Sequence, residues 1–396
     1  MFRLSPAALL GVTGLPLALP IAVLQGVLVL GWVLPAAVIP ILVLDLLGTA
    51  QNVSIFFFGV GFVGLAGALA MPWLVHHAGR RAMVAIGGAC IVVSSLLMSL
   101  GEVVSLVIGA AIRAFGFLCL DVAFEITVME RIPRRDLARF EPVRMFFMGI
   151  GLVIGPWLGI RLWLDVGLWC PFAILALLTA AVCVYVLRAG LTESPRGAPP
   201  RGRPPNPLRF IARFLGQPRL RLAWVLAFGR SAWWTMYFIY APIYCVQSGL
   251  GEQWAGIILS AGSAAILLVP LWGRLGRHIG MRALVAGGYL STGVVTIGVA
   301  VVADLPWLGV GLLLAASVCA AVIDAVGNAL FLRAVHPHER TEMASLFTTY
   351  RETAHMAPPG VFSVLLGIFA LPAVFVVSGA SLVLLTWLTR YIPRRY

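Results

Sequence analysis

Long apolar stretches separated by brief polar breaks run the length of the chain. Twelve reach spanning length, at about 19–43, 53–75, 83–100, 104–129, 145–164, 167–188, 222–246, 255–272, 283–303, 306–332, 343–367 and 371–389. Lipid offers the backbone no hydrogen-bond partner, so an apolar run of ~20 residues must be a helix. The pattern therefore predicts an all-α membrane protein with twelve transmembrane helices. Pro35 and Pro40 predict a bent first span, Ala241-Pro242 a kink in the seventh, and Pro358-Pro359-Gly360 a break in the eleventh.

Charge between the runs orients them. With the N-terminus inside, 24 of the 28 basic residues fall on the cytoplasmic side, while Asp45, Glu102, Asp165, Glu252 and Asp304 fall in outer loops. That bias predicts both termini in the cytoplasm and an even number of spans in the cytoplasmic (inner) membrane. Arg3 and the apolar run behind it read as an uncleaved first span, since no small-residue cleavage site follows. The longest connection, 189–221, is rich in Pro, Gly and Arg and suits an anionic lipid surface. It predicts three parts: a six-helix bundle over 1–188, a cytoplasmic linker over 189–221, and a second six-helix bundle over 222–396. Within the linker, Leu208, Phe210, Ile211 and Phe214 could form the apolar side of a short helix near 207–215; a mobile linker is the alternative.

Composition narrows the class. The 396 residues are 61% hydrophobic and 11% charged, whereas soluble domains carry roughly 45–50% and about 25%. That excludes soluble and disordered classes. The net charge of +13 does not point to nucleic acid, because every basic residue is Arg and they cluster in short loops. The six cysteines lie in or beside apolar runs without C-x-x-C spacing, so no metal site is expected. There is no H-E-x-x-H, G-x-S-x-G or nucleotide-binding loop, so neither enzyme nor cofactor is expected.

Two loops repeat. His77-Ala78-Gly79-Arg80-Arg81-Ala82-Met83-Val84-Ala85 and His278-Ile279-Gly280-Met281-Arg282-Ala283-Leu284-Val285-Ala286 lie 201 residues apart, each after the second span of its half. Two related halves around a linker are a transporter architecture. On these residues the chain resembles the major facilitator superfamily, whose loop between spans 2 and 3 reads G-x-L-a-D-R-x-G-R-R. Leu74, Gly79, Arg80 and Arg81 match, but His76 stands at the Asp position and Pro72 at the first Gly. The second copy keeps Gly273, Leu275, Gly280 and Arg282, with Arg277 at the Asp position. The resemblance implies that this Asp latches the outward-open state, so here the latch is altered or made by another carboxylate. Gly151-Leu152-Val153-Ile154-Gly155-Pro156-Trp157-Leu158-Gly159 matches the G-x-x-x-G-P-x-x-G core associated with drug/proton antiporters. The same spacing also serves plain close helix packing. Arg113-Ala114-Phe115-Gly116 is a partial match to the family's R-x-x-Q-G. The resemblance implies two pseudo-symmetric six-helix bundles, with spans 1, 4, 7 and 10 lining a central cavity.

Ionisable side chains at membrane depth cost at least ~2.5 kcal/mol, so each needs a reason. Span 4 carries Arg113, Asp121 and Glu125; span 10 carries Asp324 and Asn328; span 11 carries Glu352 and His355. Asp324, Asp121, Glu125, Glu352 and His355 are the candidates for carrying a proton. Span 7 presents Arg230, Trp233, Tyr237, Tyr240 and Tyr244 at three-four-three-four spacing, with Trp234 beside them. That stripe is either a substrate-lined face or an aromatic packing seam. Gln25, Arg113, Arg230, Trp233, Trp234, Tyr237, Tyr240 and Asn328 are the candidate substrate contacts. Together these predict a monomeric secondary active transporter of a small organic molecule, bathed in lipid and coupled to protons. The span-5 motif favours export. Two alternatives stay open: uptake of an organic anion with a proton, using Arg113 and Arg230 as clamps, and a non-transporting assembly or lipid-handling protein.

Overall fold

The computed structural model describes residues 18–133, 136–193, 211–327, 329–335, 343 and 346–392. The regular elements among them are all helical. α1 (Ala18–Val33), α2 (Val38–Leu47), α3 (Ala50–Ser99), α4 (Val103–Arg131), α5 (Leu137–Asp165) and α6 (Trp169–Arg188) come first. After them come α7 (Ile211–Leu215), α8 (Pro218–Gln247), α9 (Glu252–Ala264), α10 (Val269–Ile279), α11 (Met281–Val301) and α12 (Pro306–Asp324). The last are α13 (Ala329–Ala334), α14 (Thr349–Leu365) and α15 (Pro372–Leu388). Nine helical stretches among the described residues are long and apolar enough to cross a membrane. α8 and α14 are not among the nine. α8 is long but carries Arg230 and its aromatic stripe; α14 has 17 residues and holds Arg351, Glu352 and His355.

Four expectations about helix ends meet the structure differently. The bend in the first span is a 3-10 turn at Leu34–Ala36 between α1 and α2, where Pro35 withholds an N–H. The loop expected between residues 75 and 83 is a single residue. α3 runs through Pro72 and His77 and is interrupted at Gly79, with φ 73° and ψ 167°. α10 and α11 likewise meet at Gly280, with φ 85° and ψ 150°. A side chain at either glycine would meet open space, so the backbone angle, not crowding, is what calls for glycine. The break expected at Pro358-Pro359-Gly360 does not occur: α14 continues to Leu365. Each proline forfeits one backbone bond, whereas ending the helix in lipid would strand several. The span expected over 306–332 instead breaks after Asp324, where Gly327 has φ 51° and its N–H reaches the Asp324 carbonyl at 2.9 Å.

The chain divides into two compact units. One is the described part of Met1–Val38 with Ala66–Pro204; the other is Ile39–Leu65 with the described part of Pro205–Tyr396. The border therefore falls beside the 3-10 turn and again inside α3, so α2 and the start of α3 pack with the later helices. α7 is a five-residue piece of the expected linker helix, with Phe214 buried; residues 207–210 lie outside the described residues.

Glycine seams draw the helices of each unit together. In the first unit, α5 lies against α1. A Cβ on Gly151 would sit 2.8 Å from the Leu30 nitrogen, and one on Gly159 would overlap the Leu34 carbonyl. In the second unit, a Cβ on Gly61 of α3 would lie 2.6 Å from the Met356 Cα of α14. Ser54 and Tyr240 share a 2.6 Å hydrogen bond beside that seam, tying α3 to α8. Tyr240→Phe is expected to lower stability by about 1 kcal/mol, because Ser54 keeps its bond to the Ala50 carbonyl. Thermal unfolding in detergent measures this, and Ser54→Ala should give a similar loss.

Candidate functional site

The α8 stripe faces the interior of the second unit. Trp233, Tyr237, Tyr240 and Tyr244 are buried. The Trp233 indole donates to Thr296 at 2.9 Å, and the Tyr237 hydroxyl donates to the Ile258 carbonyl at 2.6 Å. The Tyr237 and Tyr244 rings fill the space left by Gly262 and Gly309, where a Cβ would overlap them. An aromatic ring laid on a glycine is close packing, so most of this stripe is a seam between helices.

The two residues at the open end of the stripe behave otherwise. Arg230 and Trp234 are half-buried and both reach Asp324 at the end of α12. Arg230 Nε lies 3.5 Å from Asp324 Oδ1, and Trp234 Nε1 donates to Oδ2 at 2.8 Å. The side chains of Arg230 and Asp324 are 12% and 19% exposed, enclosed yet within reach of water. Arg230 also donates to the Tyr350 hydroxyl of α14 at 3.2 Å. A carboxylate at the negative end of a helix needs a counter-charge, and Arg230 supplies it. On α14, His355 Nδ1 lies 3.2 Å from Thr235 Oγ1, and the Glu352 carboxylate abuts Gly64. Asn328 lies outside the described residues.

In the first unit α4 carries a graded stripe. Arg113 stacks over Trp32 of α1 at 3.4 Å and donates to the Trp32 carbonyl at 2.7 Å, while its Nε has no partner. Phe117, one turn on, stacks on the same indole at 3.9 Å. Two groups that close to one ring centre must lie on opposite faces, so Trp32 is sandwiched between Arg113 and Phe117. The bond also caps a carbonyl freed by the 3-10 turn after α1. A cavity of about 70 Å³ opens beside Phe117, with Gln25 and Asp121 in its wall. Glu125 pairs with Arg144 of α5 at 2.6 Å, and Arg144 holds Glu141 as well.

The loop motifs hold the ends of these helices. Arg80 pairs with Glu130 of α4 at 2.9 Å, and Arg81 is exposed. In the second copy, the Gly273 carbonyl accepts from Arg277 at 3.3 Å, and Arg282 follows the Gly280 break. Gly151, Gly155, Pro156 and Gly159 are buried in the α1–α5 seam. The sequence reading missed Trp32, Tyr350, Arg144 and Glu130. A periodicity argument offered no signal for them, since each gains its role from a helix distant in the chain. Among the described residues, no group of three or more His, Cys, Asp or Glu could hold a metal.

Comparison with known proteins accords with this architecture. Residues 21–359 match the family model described as Major Facilitator Superfamily. No curated protein sequence matches. Among solved structures, a peptide transporter POT in complex with sulfate has a TM-score of 0.76 at 14% identity, covering 96% of this chain and 95% of that one. A D-xylose-proton symporter gives 0.76 at 13% identity, with 95% and 97% covered. A nucleoside transporter, NupG, gives 0.73 at 13% identity, with 94% and 99% covered. At such identities the likeness is one of fold. The match over most of the chain makes it a multi-pass membrane transporter rather than an enzyme, and it belongs to the Major Facilitator Superfamily.

Proposed function

We propose that the protein is a twelve-span, proton-coupled secondary transporter of the inner membrane, with both termini cytoplasmic, and that Asp324 is its proton site. The observation that carries this is the Arg230–Asp324–Trp234 cluster. A proton on Asp324 removes the charge that holds Arg230, leaving the guanidinium to a carboxylate or phosphate on the substrate. Proton and anion then favour each other's binding, and the favour is reciprocal. Coupling of that sign is co-transport, which supports uptake of a small organic anion or zwitterion. The six-plus-six division around the linker, alternating access and a monomeric state belong to the same reading.

Export by antiport is the second reading, and its support is the G-x-x-x-G-P-x-x-G run. That run is accounted for by the close approach of α5 to α1, so it weighs less than the charge cluster. Proteoliposomes with a pH dye inside and a panel of small carboxylates and amino acids outside test both. A substrate that carries protons in with it supports co-transport, and Asp324→Asn should remove the proton movement. Protons moving out as substrate enters would establish antiport, and unchanged proton movement in Asp324→Asn would displace Asp324 from the role.

A further inference from the structure

Arg113 is a charge at membrane depth that no carboxylate answers among the described residues. Arg80 pairs with Glu130, Arg144 with Glu125 and Glu141, and Arg230 with Asp324. Arg113 instead has two contacts, both with the neutral Trp32: one N–H goes to its carbonyl, and the guanidinium lies over its ring. A guanidinium carries five N–H bonds; the others meet no acceptor among the described residues, and Nε is enclosed. The sequence explains the imbalance. Neither α1, α3 nor α6 contains an Asp or Glu. On α5, Glu141 is engaged by Arg144, and Asp165 is exposed at the helix end. On α4 itself Asp121 and Glu125 lie about 12 and 18 Å further along the axis. The end of α1 offers only the partial charge of a helix terminus, about half a unit.

We infer that Arg113 is a carboxylate subsite of the first unit, and that the transported molecule carries this carboxylate; the second half rests on the transport reading above. Arg113 is half-buried, so its outer N–H bonds reach the surface of the unit. It lies about 15 Å into α4, and a guanidinium turned to lipid at that depth is costly. It therefore faces a polar passage, where an anion can meet it. One charge calls for one: a dianion such as sulfate would leave a surplus negative charge beside apolar helices. Trp32 covers one face of the guanidinium, and Phe117 backs the indole. A partner approaching in the guanidinium plane suits a flat carboxylate, which takes two N–H bonds at once, better than a halide. Arg230 must first be released from Asp324; Arg113 has no acid to be released from.

The test is binding to the full-length protein in detergent, without a gradient, in a buffer free of chloride and carboxylates, with sodium propionate as probe. Propionamide serves as the neutral isostere, and sodium chloride and sodium sulfate as ionic controls. Calorimetry should show propionate binding at least tenfold more tightly than any of the three. Arg113→Gln should weaken it at least tenfold, and Arg113→Lys, which keeps the charge but not the fork, about threefold. Asp324→Asn should retain this site, whatever anion Arg230 then takes up, which separates failure of the subsite from failure of the proton site. Unchanged propionate binding in Arg113→Gln would leave Arg113 as a cap on α1 and overturn the inference. So would no binding of propionate, propionamide binding as tightly, or chloride or sulfate binding more tightly. These last comparisons use the wild-type protein and decide the matter even where a variant fails to fold.

Discussion

Replacing Asp324 by Ala is expected to destabilise the detergent-purified protein by about 3 kcal/mol, because it strands Arg230 as an uncompensated charge in the second unit. Arg230→Met alone should cost a similar amount, for the mirrored reason. The double variant should recover most of the loss, since an ion pair replaced on both sides by apolar groups is close to neutral. The expected pattern is thus strong non-additivity, read as thermal unfolding of the four proteins in one detergent. Additive losses would mean that the 3.5 Å pair contributes no coupling. The double variant should remain unable to move protons with substrate. A rescued fold without rescued coupling separates the pair's structural part from its functional part.

The second large effect is expected at Gly159. Any side chain there overlaps the Leu34 carbonyl, and backbone lies on both sides of the contact. Flexible side chains can make room for a methyl, but two helices packed backbone to backbone must separate. Gly159→Ala should therefore cost on the order of 3 kcal/mol, and Gly159→Leu should abolish the monodisperse peak in size-exclusion chromatography. Gly273→Ala is the control, because a Cβ there meets open space. It should stay within about 0.5 kcal/mol of the parent. Equal tolerance at both positions would refute the packing account of the span-5 motif.

The chain's fold class was legible because lipid leaves one solution for a long apolar run. Hydropathy placed the helices, and Pro35 announced the turn after α1. Hydropathy could not announce that α3 spends one residue, Gly79, where a loop was expected, since a lone glycine within a short polar stretch looks like any other break. It also could not say that α12 ends at Asp324, because the apolar pattern runs on past it. The site was legible by type more than by arrangement. Intramembrane charge singled out Arg230 and Asp324, which the fold brings together, and Glu125, which it pairs with Arg144. Helical spacing, in contrast, flagged Tyr237 and Tyr240, whose hydroxyls are spent on Ile258 and Ser54. A three-four spacing marks a helix face but carries no information about what faces it. Here glycines 262 and 309 on other helices decide that the face is filled.

The membership of residues 39–65 in the second unit bears on how the protein is made. This segment leaves the ribosome among the first, yet its packing partners, Tyr240 and Met356 among them, are synthesised long after it. During insertion it must wait with its glycine face turned to lipid or to the insertion machinery. The second unit can close only when the carboxyl-terminal helices arrive. Cutting the gene at the linker would therefore leave residues 39–65 on the amino-terminal fragment, and the carboxyl-terminal fragment, which lacks that part of its unit, is not expected to be stable until the other is supplied.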